Sequence, residues 1–347
     1  MTDQPFTDEQ LDASRLLSKD LLLAADQMSL DTARFMIATY YLPQKERIAK
    51  SAQIRECKTR GEPTAILEHF MAGEALLESQ AGKALLRFAR KSSAGRWALE
   101  QKGVGGVITA GLISMIDMDI AVSPSHMISH AGLNPQQKWE KGQKRPFNAD
   151  LKTLAVYKLG ECLVKVQNRE GAFYGKLFKE FKAQELQRND AGDHITTARK
   201  DANLEKKDKK GKSQIGLYGR STDAWPWVNG CYQAGASTEL ANISKLPLPE
   251  EIMDLEGKEF TTEKRRWQEA QRVEALNRLK GEPGSGQPML PPSQVHGRAR
   301  RRAVKIFLQH FWEELYVEKY AKQPPEPYVF AHLGHVHKIE RPNPTLS

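Results

Sequence analysis

The chain is poor in cysteine. Its 347 residues include only three, Cys57, Cys162 and Cys231, and no two of them are spaced as C-x-x-C. Paired cysteines at that spacing are typical of structural zinc sites, and small disulfide-bonded domains need more of them. The sequence therefore excludes a disulfide framework and a cysteine zinc site.

Long hydrophobic runs are also missing. The longest apolar stretch, residues 104–118, is interrupted by Gly, Ser, Thr and Asp, whereas a membrane-spanning helix needs about 20 apolar residues in a row. The first residues lack a basic region followed by an apolar run, which is the pattern of a secretion signal. We expect no membrane span and a cytoplasmic, reducing environment.

Acidic residues are fewer than basic ones, 43 against 52, which gives a formal net charge of +9. Apolar residues make up 39% of the chain, enough to bury a core, so disorder throughout is not expected. A basic surplus favours a polyanionic partner, although a soluble protein that is merely basic remains the alternative.

Strand patterns are scarce, and apolar residues recur instead at three- and four-residue spacing, as at Leu151, Leu154 and Leu159. The sequence predicts a mostly α-helical protein, with an N-terminal helical bundle and a helix-hairpin-helix domain that a long basic insertion interrupts. The expected segments are 1–96 (helical bundle), 97–189 (helix-hairpin-helix), 190–295 (basic, partly irregular insertion) and 296–347 (a C-terminal helix and tail packing on the second domain).

A glycine-rich corner is the sharpest local signal. It comprises Lys102, Gly103, Val104, Gly105 and Gly106. Glycines allow a turn with positive φ angles and leave backbone N–H groups open at the start of the next helix, where a phosphate binds favourably. Lys102 would add a charged contact to the same phosphate. The alternative is that the glycines only allow two helices to meet closely.

A second turn and a basic stretch follow. Gly132, Leu133, Asn134 and Pro135 precede a stretch that contains Lys138, Trp139, Lys141, Lys144 and Arg145. The order of glycine hairpin, GL-P turn, basic stretch and long helix resembles the C-terminal domain of bridge-RNA-guided insertion-sequence transposases, whose N-terminal half is a RuvC-like DEDD domain. The resemblance covers residues 97–181, about a quarter of the chain. It implies binding of DNA or RNA and makes a homo-oligomer plausible.

The residues that this family uses for catalysis are missing. The resemblance implies a serine nucleophile shortly after the GL-P turn, but no serine occurs between Ser129 and Ser213. A RuvC-like domain places its first Asp on an apolar strand, and the N-terminal aspartates lie in helical sequence instead. We expect no catalytic residue, no metal site and no cofactor. A divalent metal is expected only if the chain is an active recombinase or nuclease, with a residue such as Thr153 or Asp117 taking part.

Two further basic clusters are candidate phosphate contacts. One opens the last long helix and comprises Arg298, Arg300, Arg301, Arg302 and Lys305. The other lies in the charged segment 190–212 and includes Lys206, Lys207, Lys209 and Lys210. Cations at a helix N-terminus oppose the helix dipole, so they need a polyanion or nearby acids. An acid-paired or solvated helix end is the alternative.

Aromatic and histidine side chains complete the candidates. Trp139, Trp225 and Trp227 lie in polar sequence, where an indole can stack on a nucleobase. His126 and His130 are one helical turn apart and are the general-base candidates if the chain has an activity. His332, His335 and His337 match no zinc signature, so a surface role is favoured over a metal site.

Together these patterns predict a transposase-related protein that binds the phosphate backbone of DNA or RNA independently of sequence and lacks recombinase chemistry. Two alternatives stay open. One is an active recombinase or nuclease of a mobile element or phage, with a different nucleophile. The other is a scaffold that binds an acidic protein.

Overall fold

The computed structural model describes residues 22–140, 142–194, 196–197, 206–207, 213–214, 242–278, 290, 292–325 and 338–343. Its helices are α1 (Leu30–Thr59), α2 (Ala65–Lys91), α3 (Ser93–Glu100), α4 (Gly106–Met115), α5 (Pro124–His130), α6 (Ala149–Thr153), α7 (Gly160–Lys165), α8 (Phe173–Asp190), α9 (Glu250–Met253), α10 (Gly257–Arg278) and α11 (Pro292–Tyr320). A π-helical segment, Leu154–Leu159, joins α6 to α7, and Ile243–Lys245 forms a 3-10 turn. Two-residue strands, β1 (Lys206–Lys207) and β2 (Ser213–Gln214), pair antiparallel. The prediction of a mostly α-helical protein is confirmed.

The chain divides into two compact units. Unit 1 contains the residues up to Leu177 and those from Ala303 onward, and unit 2 contains the residues from Phe178 to Arg302. The expected boundaries at 96/97 and 295/296 fall inside α3 and α11. The boundaries between the two units, 177/178 and 302/303, also lie inside helices, α8 and α11.

Unit 1 has a core to which both predicted N-terminal domains contribute. Ala33 and Ile37 from α1 pack with Leu85 and Phe88 from α2 and with Ala110 from α4. The segments 1–96 and 97–189 therefore both contribute to this cluster. The reason is that α4 is apolar on most of its surface and needs neighbours on several sides.

Local sequence explains where the helices of unit 1 begin. Ser29, Ser92, Ser123 and Asn148 are N-cap residues whose side chains accept backbone N–H groups of α1, α3, α5 and α6. The carboxylate of Glu318 on α11 adds to the cap of α3, accepting a hydrogen bond from the backbone N–H of Ala94 at 2.9 Å.

An aromatic cluster lies between α3, α8 and α11 in unit 1. Trp97, Tyr174, Phe307 and Phe311 are all buried, and the Phe307 and Phe311 rings are stacked with centroids 6.1 Å apart. Large aromatic side chains contribute much of the apolar area that a core buries. This cluster fixes α3, and with it the glycine corner that follows.

Unit 2 has a small core around Leu290 and Val295, against which Leu186 packs. The side-chain amide of Asn189 makes two hydrogen bonds with the backbone of Leu290, donating to its carbonyl at 3.0 Å and accepting its N–H at 2.9 Å. Asn189 is buried, so this pairing satisfies both ends of its amide.

Candidate nucleic-acid interface

The glycine corner is a tight turn between α3 and α4. The Val104 N–H donates to the carbonyl of Gln101 at 3.0 Å and closes the turn. Gly103 has a φ of +94°, and a Cβ atom there would lie 3.1 Å from the carbonyl oxygen of Cys162. Both the backbone conformation and the close neighbour therefore require glycine at this position. Val104 itself is buried and holds the turn against the core.

The corner is open at Gly105 and closed at Gly106. Gly105 is exposed and is the N-cap of α4, with no side-chain cap and no acidic residue in the first turn. A Cβ on Gly105 would meet nothing within 4 Å, whereas one on Gly106 would lie 2.7 Å from Cα of Leu86. The first N–H groups of a helix have no acceptor within it. The amides at the start of α4 therefore have no side-chain cap from Gly105.

Lys102 is exposed, and its Nζ donates to the backbone carbonyl of Glu170 at 2.7 Å. This bond ties the corner to the loop before α8. An ammonium group has three donors, so this contact leaves the charge available to an anion.

The segment 135–148, named here the basic loop, connects α5 to α6. Its entry is a Schellman turn, in which the N–H groups of Gly132 and Leu133 donate to the carbonyls of Ser129 and Ile128 at 2.9 and 3.0 Å. Gly132 has a φ of +63°, as the turn requires. At the other end, the Asn148 N–H donates to the His130 carbonyl at 2.8 Å. Both ends of the loop are thus fixed to α5.

The cations of the basic loop face solvent. Lys138, Lys144 and Arg145 are exposed, and within the part of the chain that the structure describes none of them forms an ion pair with a carboxylate. The Arg145 guanidinium lies 5.3 Å from the centre of the Trp139 ring. Lys141 lies outside the described residues.

Trp139 is partly exposed but held in place. Its Nε1–H donates to the Gln143 carbonyl at 2.8 Å, and the Gln143 N–H donates to the Glu140 carbonyl at 3.2 Å. Gly142, with a φ of +100°, allows the chain to turn here. The indole is therefore fixed by its own loop, and 38% of the residue surface remains exposed.

The arginine cluster of α11 lies elsewhere than the sequence predicted. The helix begins at Pro292, so residues 298–305 lie in its interior and do not open it. The effect of the helix dipole fades within the first turn, so it places no demand on these cations. A proline at the first position is well tolerated, which explains the earlier start.

Two of these arginines are paired with a buried acid in unit 2. Arg302 and Arg298 lie 3.3 and 4.0 Å from the carboxylate of Glu185, which is 2% exposed. Arg302 also donates to Gln184 at 3.0 Å and lies over the Phe181 ring at 4.1 Å. The acid-paired alternative therefore describes Arg298 and Arg302. Arg301 is exposed, and Arg300 and Lys305 are half-buried.

Sequence reasoning missed Glu185. His194 also contacts this carboxylate, at 3.1 Å, and burial lowers the pKa of His194. The sequence feature that could have identified Glu185 is its position one helical turn after Phe181, on the apolar face of α8. An acid on such a face needs a charged or hydrogen-bonding partner, and the arginines of α11 provide it.

Several candidates fall outside the described residues or are described only by their backbone. Lys206 and Lys207 form β1, and nothing is described of their side chains. The remaining ones are Lys209, Lys210, Trp225, Trp227, His332, His335 and His337.

The residues considered for catalysis do not converge on a described site. Thr153 is exposed at the end of α6, and the exposed Asp117 accepts the Asp119 N–H at 2.8 Å in a turn. His126 Nδ1 lies 2.8 Å from the Ser123 hydroxyl, which caps α5. Among the residues that the structure describes, no three His, Cys, Asp or Glu side chains are grouped to hold a metal ion. In the same residues, no helix has the length and apolar character needed to cross a membrane.

Comparison with known proteins adds no relative. No family model matches the chain, and searches of curated proteins and of solved structures find no significant match. The resemblance to transposases therefore stays a prediction.

Proposed function

We propose that the chain binds the phosphate backbone of a nucleic acid through the basic loop. The observation that carries the proposal is that Lys138, Lys144 and Arg145 are exposed without a described carboxylate partner, on a loop fixed at both ends. Cations that the protein does not neutralise itself are available to an external polyanion. Such contacts read charge and spacing, so binding does not depend on base sequence.

The charge of the surrounding sequence supports this proposal. Between residues 135 and 152 five lysines or arginines accompany two acidic residues, Glu140 and Asp150. Phosphates that bind there displace condensed counterions, which makes the affinity fall steeply with salt. A protein scaffold that binds an acidic partner would show a shallower dependence, because folded proteins lack that dense counterion layer.

The open start of α4 supplies a second contact in this proposal. Its N-terminal amides have no side-chain cap, and a Cβ on Gly105 would meet nothing within 4 Å. A phosphate oxygen is a suitable acceptor for such amides. In this contact Lys102 contributes a positive charge, and Gly103 allows the turn that precedes α4.

The relation to insertion-sequence transposases belongs to the same proposal. Its support is that the glycine corner, the GL-P turn, the basic loop and the following helix lie in this order within unit 1. The absence of a serine after the GL-P turn favours a protein that binds nucleic acid without strand transfer.

The test is a triple substitution in the basic loop, Lys138→Gln, Lys144→Gln and Arg145→Gln. We expect the affinity for a 30-base-pair duplex to fall at least tenfold at 0.1 M salt. The slope of log K against log salt should flatten by about 2.7 units, since each of the three lost phosphate contacts removes about 0.9. Fluorescence anisotropy over a series of salt concentrations measures both quantities.

A matched control removes the same charge from another exposed part of unit 1. Arg55, Lys58 and Arg60 lie at the end of α1, where Lys58 and Arg60 pair with Glu68 and Glu56 at 2.9 and 2.8 Å. Their replacement by Gln should leave the salt slope within half a unit of the wild-type value. Equal slopes for the two triple variants would show that net charge, and not the basic loop, governs binding.

A further inference from the structure

We propose that Trp139 is a stacking platform for an unpaired nucleobase. This rests on the proposed function, because the basic loop must first hold the sugar-phosphate chain. It specifies the ligand as a nucleic acid that is single-stranded where it meets the loop.

Trp139 differs from the tryptophans that serve the core. Trp97 and Trp312 are 3% and 0% exposed, and their Nε1–H groups donate to the carbonyls of Pro342 and Ala121. Trp139 makes the same kind of bond, to Gln143, but remains 38% exposed. An indole whose polar atom is satisfied and whose ring reaches solvent retains apolar area that a flat ligand can cover.

The surroundings of the ring suit a nucleotide. The hydrogen bond to Gln143 fixes the ring, so little conformational entropy is lost when a base stacks on it. The Arg145 guanidinium lies over one face of the ring, 5.3 Å from its centre, so the base is proposed to stack on the opposite face, and Lys138 and Lys144 are exposed in the same loop. An aromatic ring flanked by cations is the usual arrangement for binding single strands, since the ring takes the base and the cations take the phosphates.

A duplex cannot use this platform without losing its own stacking. Its bases are paired and stacked on one another, so only an unpaired base can place its face on the indole. The same chemistry is available from single-stranded DNA and from RNA, which differ at the 2′-hydroxyl. The test therefore includes both a DNA strand and an RNA strand.

The experiment compares Trp139→Ala with the wild-type full chain on three probes: a dT15 strand, an rU15 strand and a 15-base-pair duplex. We expect the affinity of the variant for at least one strand to fall about tenfold, and its affinity for the duplex to change less than twofold. Trp139→Phe, which retains a ring, should recover most of the loss. The strand for which the affinity falls more shows whether the ligand is single-stranded DNA or RNA.

Phe35→Ala is the matched control, because Phe35 is an exposed aromatic residue on α1, 76% accessible and outside the basic loop. It should change no affinity. Far-UV circular dichroism checks that each variant is folded. Crosslinking of a 5-iodouracil strand to the wild-type protein, with the modified residue located by mass spectrometry, gives a readout that does not depend on any variant and should identify Trp139.

Two results would overturn the stacking platform: unchanged strand affinity in a folded Trp139→Ala protein, or an equal loss on strand and duplex. Either can occur while the Lys138, Lys144 and Arg145 variant still flattens the salt slope, and then only this inference fails. If the wild-type chain binds none of the three probes, the proposed function fails with it.

Discussion

Two coil segments of unit 1 contain the same dipeptide in opposite environments. Arg145-Pro146 lies in the basic loop, where Arg145 is exposed and its described contact is with the Trp139 ring. Arg341-Pro342 lies near the C-terminus, where the Arg341 side chain is 7% exposed between Glu313 and Glu314, at 3.5 and 3.2 Å. In both segments the proline carbonyl accepts a side-chain hydrogen bond, from Gln137 and from Trp97.

The difference teaches that the position of carboxylates decides the role of an arginine. Glu313 and Glu314 come from α11 and neutralise Arg341, which thereby fixes residues 338–343 to the helix. Arg298 and Arg302 repeat this arrangement in unit 2, where Glu185 is the acid. Arg145 has no such acid among the described residues, and the proposed function assigns its charge to a phosphate.

The largest expected effect is a difference in the free energy of unfolding between variants of Arg341 and Arg145. Arg341→Ala removes a buried cation that contacts two buried carboxylates and should lower the free energy of unfolding by roughly 3 kcal/mol. Arg145→Ala removes an exposed charge and should change it by less than about 0.5 kcal/mol. Urea denaturation followed by circular dichroism measures both. Similar losses in the two variants would contradict the comparison.

The C-terminal segment also predicts a dependence on pH. His310 lies 2.8 Å from the Ile339 carbonyl through Nε2 and 2.8 Å from the Tyr174 hydroxyl through Nδ1, so in its neutral form Nε2 donates to the carbonyl and Nδ1 accepts from the hydroxyl. Burial lowers its pKa to about 4, and the nearby Arg341 and Lys338 act in the same direction. The unfolded chain takes up this proton near pH 6.5 and the folded chain only near pH 4. The contribution of His310 is therefore present above pH 6.5 and is lost as the pH falls toward 4.

His310→Gln isolates this effect, because glutamine can keep both hydrogen bonds but does not titrate. Between pH 7 and 4.5 the wild-type protein should lose about 2 kcal/mol more unfolding free energy than the variant. Glu313 is common to both proteins, and burial raises its pKa, which opposes the loss equally in each. Parallel pH profiles for the two proteins would exclude a neutral buried imidazole.

The smallest expected effect concerns the open start of α4. Gly105→Asp supplies an N-cap where a Cβ meets nothing within 4 Å, and should stabilise the protein by a few tenths of a kcal/mol. The same carboxylate occupies the amides and repels phosphate, so affinity for nucleic acid should fall several-fold. Gly105→Ala adds neither cap nor charge and is the control. Unchanged affinity in a stabilised Asp variant would remove the helix start from the interface.

Much of the fold was predictable because its signals are local. The apolar spacing predicted helices, and Gly103 and Gly132 lie in predicted turns, where both have positive φ. The start of α11 at Pro292 and the π-helical segment Leu154–Leu159 were not predicted. The position of a helix end and the hydrogen-bond register inside a helix also depend on packing against neighbouring elements, which the pattern of residues does not show.

The candidate site was predictable only in part. The cations and the indole of the basic loop could be named from the sequence because exposure follows from polar, glycine-containing surroundings. The pairing of Arg302 with Glu185 could not, because its two members are 117 residues apart. Nothing in a single sequence indicates which distant acid a basic residue will meet.

The sequence by itself determined that this chain is helical and basic, and where its turns occur, since helix propensity, glycine conformation and charge belong to each residue and its near neighbours. Only the tertiary structure decided which positive charges are neutralised inside the protein. Electrostatic attraction depends on distance in space and on burial, and both are set when helices far apart in the chain pack together.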